Sequence, residues 1–244
     1  MEFVILYLIG IIATTLRTLA GGGGMISLPV MLLMGIPVHS AIGANKVSNT
    51  ISSISSFYHL YKKKEVSLKE SLWMIPVSLG GGITGGFIAS KLSGEKMYIL
   101  AIFLLIFAFI TSFMGKNHFS GNEPLRMNRV SIPGLFGIGM YDGLFGLGQG
   151  TLMFYLFDYM NIAYIRAVAL VRLATFSSCF GAAITYIIAG KIIWPVTLAL
   201  LLGSLTGAHI GVRIVEKLKP KYVKPLLRMF TIALIIQILA ERVF

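Results

Sequence analysis

Residues 17–34 read RTLAGGGGMISLPVMLLM and residues 143–160 read GLFGLGQGTLMFYLFDYM. Each is an apolar stretch cut by glycine: Gly21, Gly22, Gly23 and Gly24 in the first, Gly146, Gly148 and Gly150 in the second. Glycine costs a helix interior roughly 1 kcal/mol relative to alanine and frees the backbone. Each stretch therefore reads as helix, break and half-helix. The apolar regions around them, residues 3–34 and 131–159, are too long for one membrane helix and too short for two with a loop.

Working outward, a shift of 126 residues lays the first break on the second and carries Gly22 onto Gly148, Gly24 onto Gly150, Ala41 onto Ala167, Lys46 onto Arg172 and Ser52 onto Ser178. After a four-residue difference in loop length, Gly81 falls on Gly203, Thr84 on Thr206, Gly85 on Gly207 and Lys91 on Arg213. One unit is used twice. Its halves are residues 1–115 and 131–244, joined by a basic linker at 116–130 that contains Gly121 and Pro124. Internal repeats of this kind are a common way to build secondary transporters.

The composition supports a bilayer setting. Of 244 residues, 56% are hydrophobic and 12% charged, about half the charge of an average globular chain. The stretches 71–90, 97–115 and 192–212 are free of charge over a membrane-crossing length. Those at 39–61 and 164–189 each carry one cation well inside, Lys46 and Arg172, with Arg166 at the very start of the second, and the stretch at 222–240 begins with Lys224 and Arg228. The first residues, MEFV, lack the basic start of a cleaved signal, so the first apolar stretch is expected to be a retained helix. The net charge of +12 reads as loop lysine and arginine that orient helices, with no nucleic acid as partner.

Loop charge also bears on the relation of the halves. If each broken element crosses the membrane, the repeats are parallel and Lys plus Arg divide 9 against 9; if each dips in and returns, they are inverted and divide 14 against 4. The remaining three, Arg17, Lys46 and Arg172, lie in apolar spans either way. The positive-inside rule favours inversion, with both termini outside. The expected fold is an all-α polytopic membrane protein of two inverted repeats, each a glycine-broken re-entrant element plus three transmembrane helices.

In lipid a broken helix is tolerated where its freed backbone groups face protein or a water-filled cavity. Two matching breaks predict a site near the midplane, with half-helices starting at Met25 and Thr151 presenting their N-termini to an anion. Gly22, Gly23, Gly24, Gly148 and Gly150 are its expected backbone, and the amide of Gln149, which replaces a glycine in the second break, could reach the ligand directly. Lys46 and Arg172, each roughly 12 Å into its helix at 1.5 Å per residue, aim at the same place. Buried cations require counter-charge, and the one acid clearly inside an apolar region is Asp142. A transported anion could supply the rest. The alternative is structural: both cations cap carbonyls or snorkel.

Asn45, Asn49 and Ser178 add hydrogen-bonding groups beside the cations. Arg17 and Asp142 precede the two breaks at nearly matching positions, where a pseudo-twofold axis could bring them together as an ion pair, a gate or a structural link; whether they pair stays open. Asp142 away from Arg17 would allow proton coupling. Cys179, the single cysteine, reads as a core residue. The four histidines show no metal-ligand spacing, and no cofactor or metal is expected. Gly80 to Gly86, Gly203 and Gly207 read as close helix packing.

The strings LAGGGGMISLPVMLLMGIPVHSAIGANKVSN and LFGLGQGTLMFYLF, each opening a half, resemble the sulfite exporter TauE/SafE family, also called the four-toluene-sulfonate uptake permease family, over essentially the whole chain. The second string departs from the pattern, with Gln149 among its glycines and Tyr155 where proline is expected. The resemblance implies transport, usually outward, of sulfite, a sulfonate or a related organic oxyanion across a plasma or inner membrane. By motif it carries over Gly22, Gly23, Gly24, Lys46, Gly148, Gly150 and Arg172. An anion channel and a non-transporting membrane scaffold are the competing readings. An enzyme is not expected, since the spacing assembles no catalytic constellation of serine and histidine, of paired aspartates or of a His/Glu metal cluster. The partners are a small anion and lipid; the oligomeric state stays open.

Overall fold

The computed structural model describes residues 2–20, 24–97, 99, 100, 103, 123, 125–215 and 217. Regular structure among these residues is helical throughout. The first half supplies α1 (Glu2–Ala20), α2 (Gly24–Leu33), α3 (Val38–Lys62), the single turn α4 (Leu68–Ser71) and α5 (Met74–Lys91). The second supplies α6 (Ser131–Leu144), α7 (Gln149–Tyr159), α8 (Tyr164–Ile188) and α9 (Trp194–Val215). The expected span at 222–240 lies outside the described residues, as do most of that at 97–115, most of the linker, and Gly21, Gly22 and Gly23.

The repeat read from sequence survives as helix bounds. Adding 126 to the limits of α3 gives those of α8, and α2 lands on α7 to within a residue. The difference in loop length falls in the connection that holds α4. Packing obeys the same exchange. The α1 helix packs on α9 as α6 packs on α5; α3 packs on α9 as α8 packs on α5; α3 and α8 pack on each other. Each half thus covers the other, and the core runs between them.

Glycine makes these seams close. A Cβ on Gly203 would fall on the Tyr7 carbonyl and one on Gly207 on that of Ile11, while Gly81 and Gly85 stand in the same way against the carbonyls of Phe136 and Met140. Both pairs are four residues apart, one face of a helix, so small residues let two backbones approach directly. The expected glycine packing is what the structure contains.

Polarity is distributed for an apolar solvent. Arg17, Lys46, Asp142 and Arg172 are buried, as are many serines and threonines, while Phe3, Val4, Leu8 and Ile12 on α1 and Ile184, Ile187 and Ile188 on α8 are exposed. Water would favour the reverse. Glu2–Leu19, Tyr164–Ile188 and Trp194–Val215 are long and apolar enough to cross a membrane. The first of these was expected only as one arm of a broken element. Its helix of 19 residues is about 28 Å long at 1.5 Å per residue, against about 15 Å for the 10 residues of α2.

Candidate functional site

The second break spans four residues between α6 and α7, and its geometry explains its glycines. Gly146 (φ +80°) and Gly148 (φ +71°) both adopt the left-handed conformation, which costs an L-residue with a side chain roughly 1–2 kcal/mol. At Gly146 space forbids a side chain as well, because a Cβ would meet the Asp142 carboxylate and the Lys46 ammonium. Gly148 is the N-cap of α7, so that helix begins at Gln149, two residues before the expected Thr151. In the first element α2 begins at Gly24, one residue before the expected Met25.

Freed carbonyls on both broken elements are satisfied across the halves. Lys46 of α3 donates to the backbone carbonyl of Asp142, near the C-terminus of α6. Arg172 of α8 donates to the carbonyl of Arg17, near the C-terminus of α1, at 2.7 Å. A helix C-terminus carries partial negative charge, which suits a cation there. Tyr164 donates to the Leu19 carbonyl at 2.6 Å, and Tyr141 to that of Leu147 inside the second break. The carbonyl-capping role weighed for Lys46 and Arg172 is therefore real. Both are fully inside, at 2% and 1% exposure.

The side chains beside those carbonyls break the symmetry. Asp142 forms its ion pair with Lys46, Nζ to Oδ1 at 2.9 Å, which answers the question of its partner that the sequence left open. The other carboxylate oxygen accepts from the Ser178 hydroxyl at 2.5 Å and the Cys179 thiol at 3.3 Å. Helix geometry accounts for this: Ser178 and Cys179 lie two turns along α8 from Arg172, where that helix faces α6. Ser178 thereby commits its proton to Asp142.

Arg17 lies within electrostatic reach of Asp142 but has no ion pair with it among the described residues. Among the described residues its Nη1 has no acceptor, and neither has Nε of Arg172. The Arg172 guanidinium lies against the backbone of Arg17, on its carbonyl. Gln149 is buried, with its Oε1 taking a hydrogen bond from Thr175 at 3.2 Å, while its Nε2 has no acceptor. Thr175 is one turn from Arg172. Arg17, Arg172 and Gln149 therefore share one interior region.

The remaining expected residues divide. Asn45 accepts from Ser27 at 2.7 Å and donates to the Ala41 carbonyl at 3.2 Å, so its amide ties α2 to α3. Asn49 is buried with its Oδ1 unpaired. Gly150 continues the first turn of α7, Gly24 opens α2, and Gly22 and Gly23 lie outside the described residues. Sequence reasoning missed Thr175, which holds Gln149, and a small cleft between α3 and α9 lined by Ser55, Ser56, His59 and His209. Thr175 was findable, since the shift of 126 places it on Asn49.

The interior beside the two breaks is thus buried and mostly cationic among the described residues, and comparison with known proteins gives the family. The sulfite exporter TauE/SafE family model matches residues 6–238. The chain belongs to that family. Relatives include the "Probable membrane transporter protein ORF9" of Sinorhizobium sp, 32% identical over 97% of this chain and 92% of that protein. The "Probable membrane transporter protein YfcA" of Escherichia coli K12 is 26% identical over 91% of this chain and 84% of its own length. The "Probable membrane transporter protein YunE" of Bacillus subtilis 168 is 24% identical over the whole of both chains. No solved structure matches. As a TauE/SafE member the chain is a membrane transporter, and the buried cations of α1, α3 and α8 lie in the interior of that transporter's fold.

Proposed function

We propose that this transporter is a secondary exporter of a small sulfur-containing or organic oxyanion, such as sulfite or a sulfonate, across a plasma or inner membrane. The anion binds near the midplane between the two helix breaks, and the halves are inverted repeats with both termini outside. The observation that carries the reading is charge: among the described buried residues Arg17, Lys46 and Arg172 face a single acid, Asp142. Burying even one unpaired charge at helix centre costs at least about 2.5–3.5 kcal/mol, so a membrane protein that keeps such an excess has a use for it. Breaks that present backbone and a helix N-terminus to the same region supply directional donors. Export of an anion from a negative interior gains about 2.3 kcal/mol per charge per 100 mV.

The test is counterflow of labelled sulfite and of simple sulfonates in proteoliposomes, with native chain and Arg172→Gln. Saturable counterflow that Arg172→Gln weakens tenfold or more, about 1.4 kcal/mol, is the expected result. Counterflow of the same size in the variant would remove Arg172 from the site, and no flux of any anion would remove the function.

A further inference from the structure

We infer that the site selects a divalent oxyanion over a monovalent one of the same shape, and that Arg17 is a binding residue responsible for the choice. The inference rests on the anion-transport reading above and narrows its substrate class. Three donors from three helices point to it: Nη1 of Arg17 on α1, Nε of Arg172 on α8 and Nε2 of Gln149 on α7 all lack an acceptor among the described residues. None is near solvent, the residues being 5%, 1% and 3% exposed.

Their neighbours hold them together. Arg172 spends Nη2 on the Arg17 carbonyl, and Thr175, one turn further along α8, fixes the Gln149 amide so that its oxygen is used and its NH2 is left over. The N-terminus of the eleven-residue helix α7 adds a partial positive charge at Gln149.

The charge count then sets the valence. Lys46 and Asp142 neutralise each other, and Asp142 is the only acid among the described buried residues. Two cations, Arg17 and Arg172, remain without an ion-pair partner among the described residues. A monoanion would leave one of them unbalanced in a medium that screens poorly; a dianion balances both. Guanidinium edges suit the oxygens of a sulfur oxyanion, since they donate in pairs at fixed geometry.

Direct binding to the purified full chain in nanodiscs tests this, with sulfate and, at mildly alkaline pH, sulfite as dianions and methanesulfonate as the monoanion of like shape. The native chain should prefer the dianions by about tenfold or more. Arg17→Gln should lose that preference while still binding methanesulfonate, and Arg17→Lys, which keeps the charge, should retain it. Methanesulfonate binding the native chain as tightly as sulfate would overturn the inference and leave anion transport standing. Equal loss of preference in Arg17→Lys and Arg17→Gln would overturn the charge argument. Absence of binding by every anion would instead bring down the transport reading. Should Arg17→Gln fail to fold, the dianion-to-monoanion ratio of the native chain still decides.

Discussion

Lys46 has its charge and one donor committed to Asp142, and Asp142 has its other oxygen committed to Ser178 and Cys179. The price of such a pair appears when one member is removed, because the survivor stays buried and unpaired. Lys46→Met is therefore expected to lower stability by about 3–5 kcal/mol, and Lys46→Met with Asp142→Leu to recover most of that. Thermal unfolding of the detergent-solubilised variants measures it; a double variant as weak as the single would show that the pair is not the unit. Sequence had made Lys46 and Arg172 equivalents by position, and the carbonyls they reach, those of Asp142 and Arg17, do stand at nearly matching places. What it could not show is which cation takes the acid. That depends on how closely α3 and α8 each approach α6, a tertiary distance that no spacing along one helix encodes. The same reason hid the loss of Ser178 to Asp142 and of Asn45 to Ser27.

The helices themselves were more legible, because glycine marks both their ends and their contacts. Gly146 and Gly148 break the second element by conformation, while Gly81, Gly85, Gly203 and Gly207 serve by having no side chain where another backbone passes. These two uses predict different variants. Gly85→Ala and Gly203→Ala place a methyl group against carbonyls of Met140 and Tyr7 that cannot move aside, and each should cost about 1–3 kcal/mol as an overpacked core does. Gly137→Ala, on an exposed face of α6 with open space around it, should be neutral or raise stability by about 0.4–1 kcal/mol. Melting temperatures of the three side by side decide the matter, and a Gly85→Ala as stable as Gly137→Ala would sink it. Gly148→Ala should cost about 1–2 kcal/mol through its left-handed φ. The length of α1 was the element least readable from sequence: the glycine run tells where the helix stops, not how far the arm before it reaches into the bilayer.

The halves are not two bodies laid side by side. The backbone-close seams join α1 to α9 and α5 to α6, one helix from each half in both cases. Parting either cross-half pair would strip a seam in which glycine Cα stands against a neighbouring carbonyl, so each pair holds together as a unit. The exchange of partners that relates the seams holds for a twofold axis along the membrane as well as across it, so the decision between inverted and parallel repeats returns to sidedness. In the inverted arrangement the connection after α3, with Glu65, and the connection after α8, with Lys191, lie on opposite sides of the membrane; in the parallel one they share a side. Both residues are exposed, and the single native cysteine, Cys179, is buried against Asp142 and silent to a charged maleimide. Glu65→Cys and Lys191→Cys in intact cells therefore report directly. An impermeant maleimide should label Lys191→Cys from outside and reach Glu65→Cys only after the membrane is opened, as the 14 against 4 division of loop lysine and arginine requires. Labelling of both from the same side would make the repeats parallel, and each broken element would then carry the chain across.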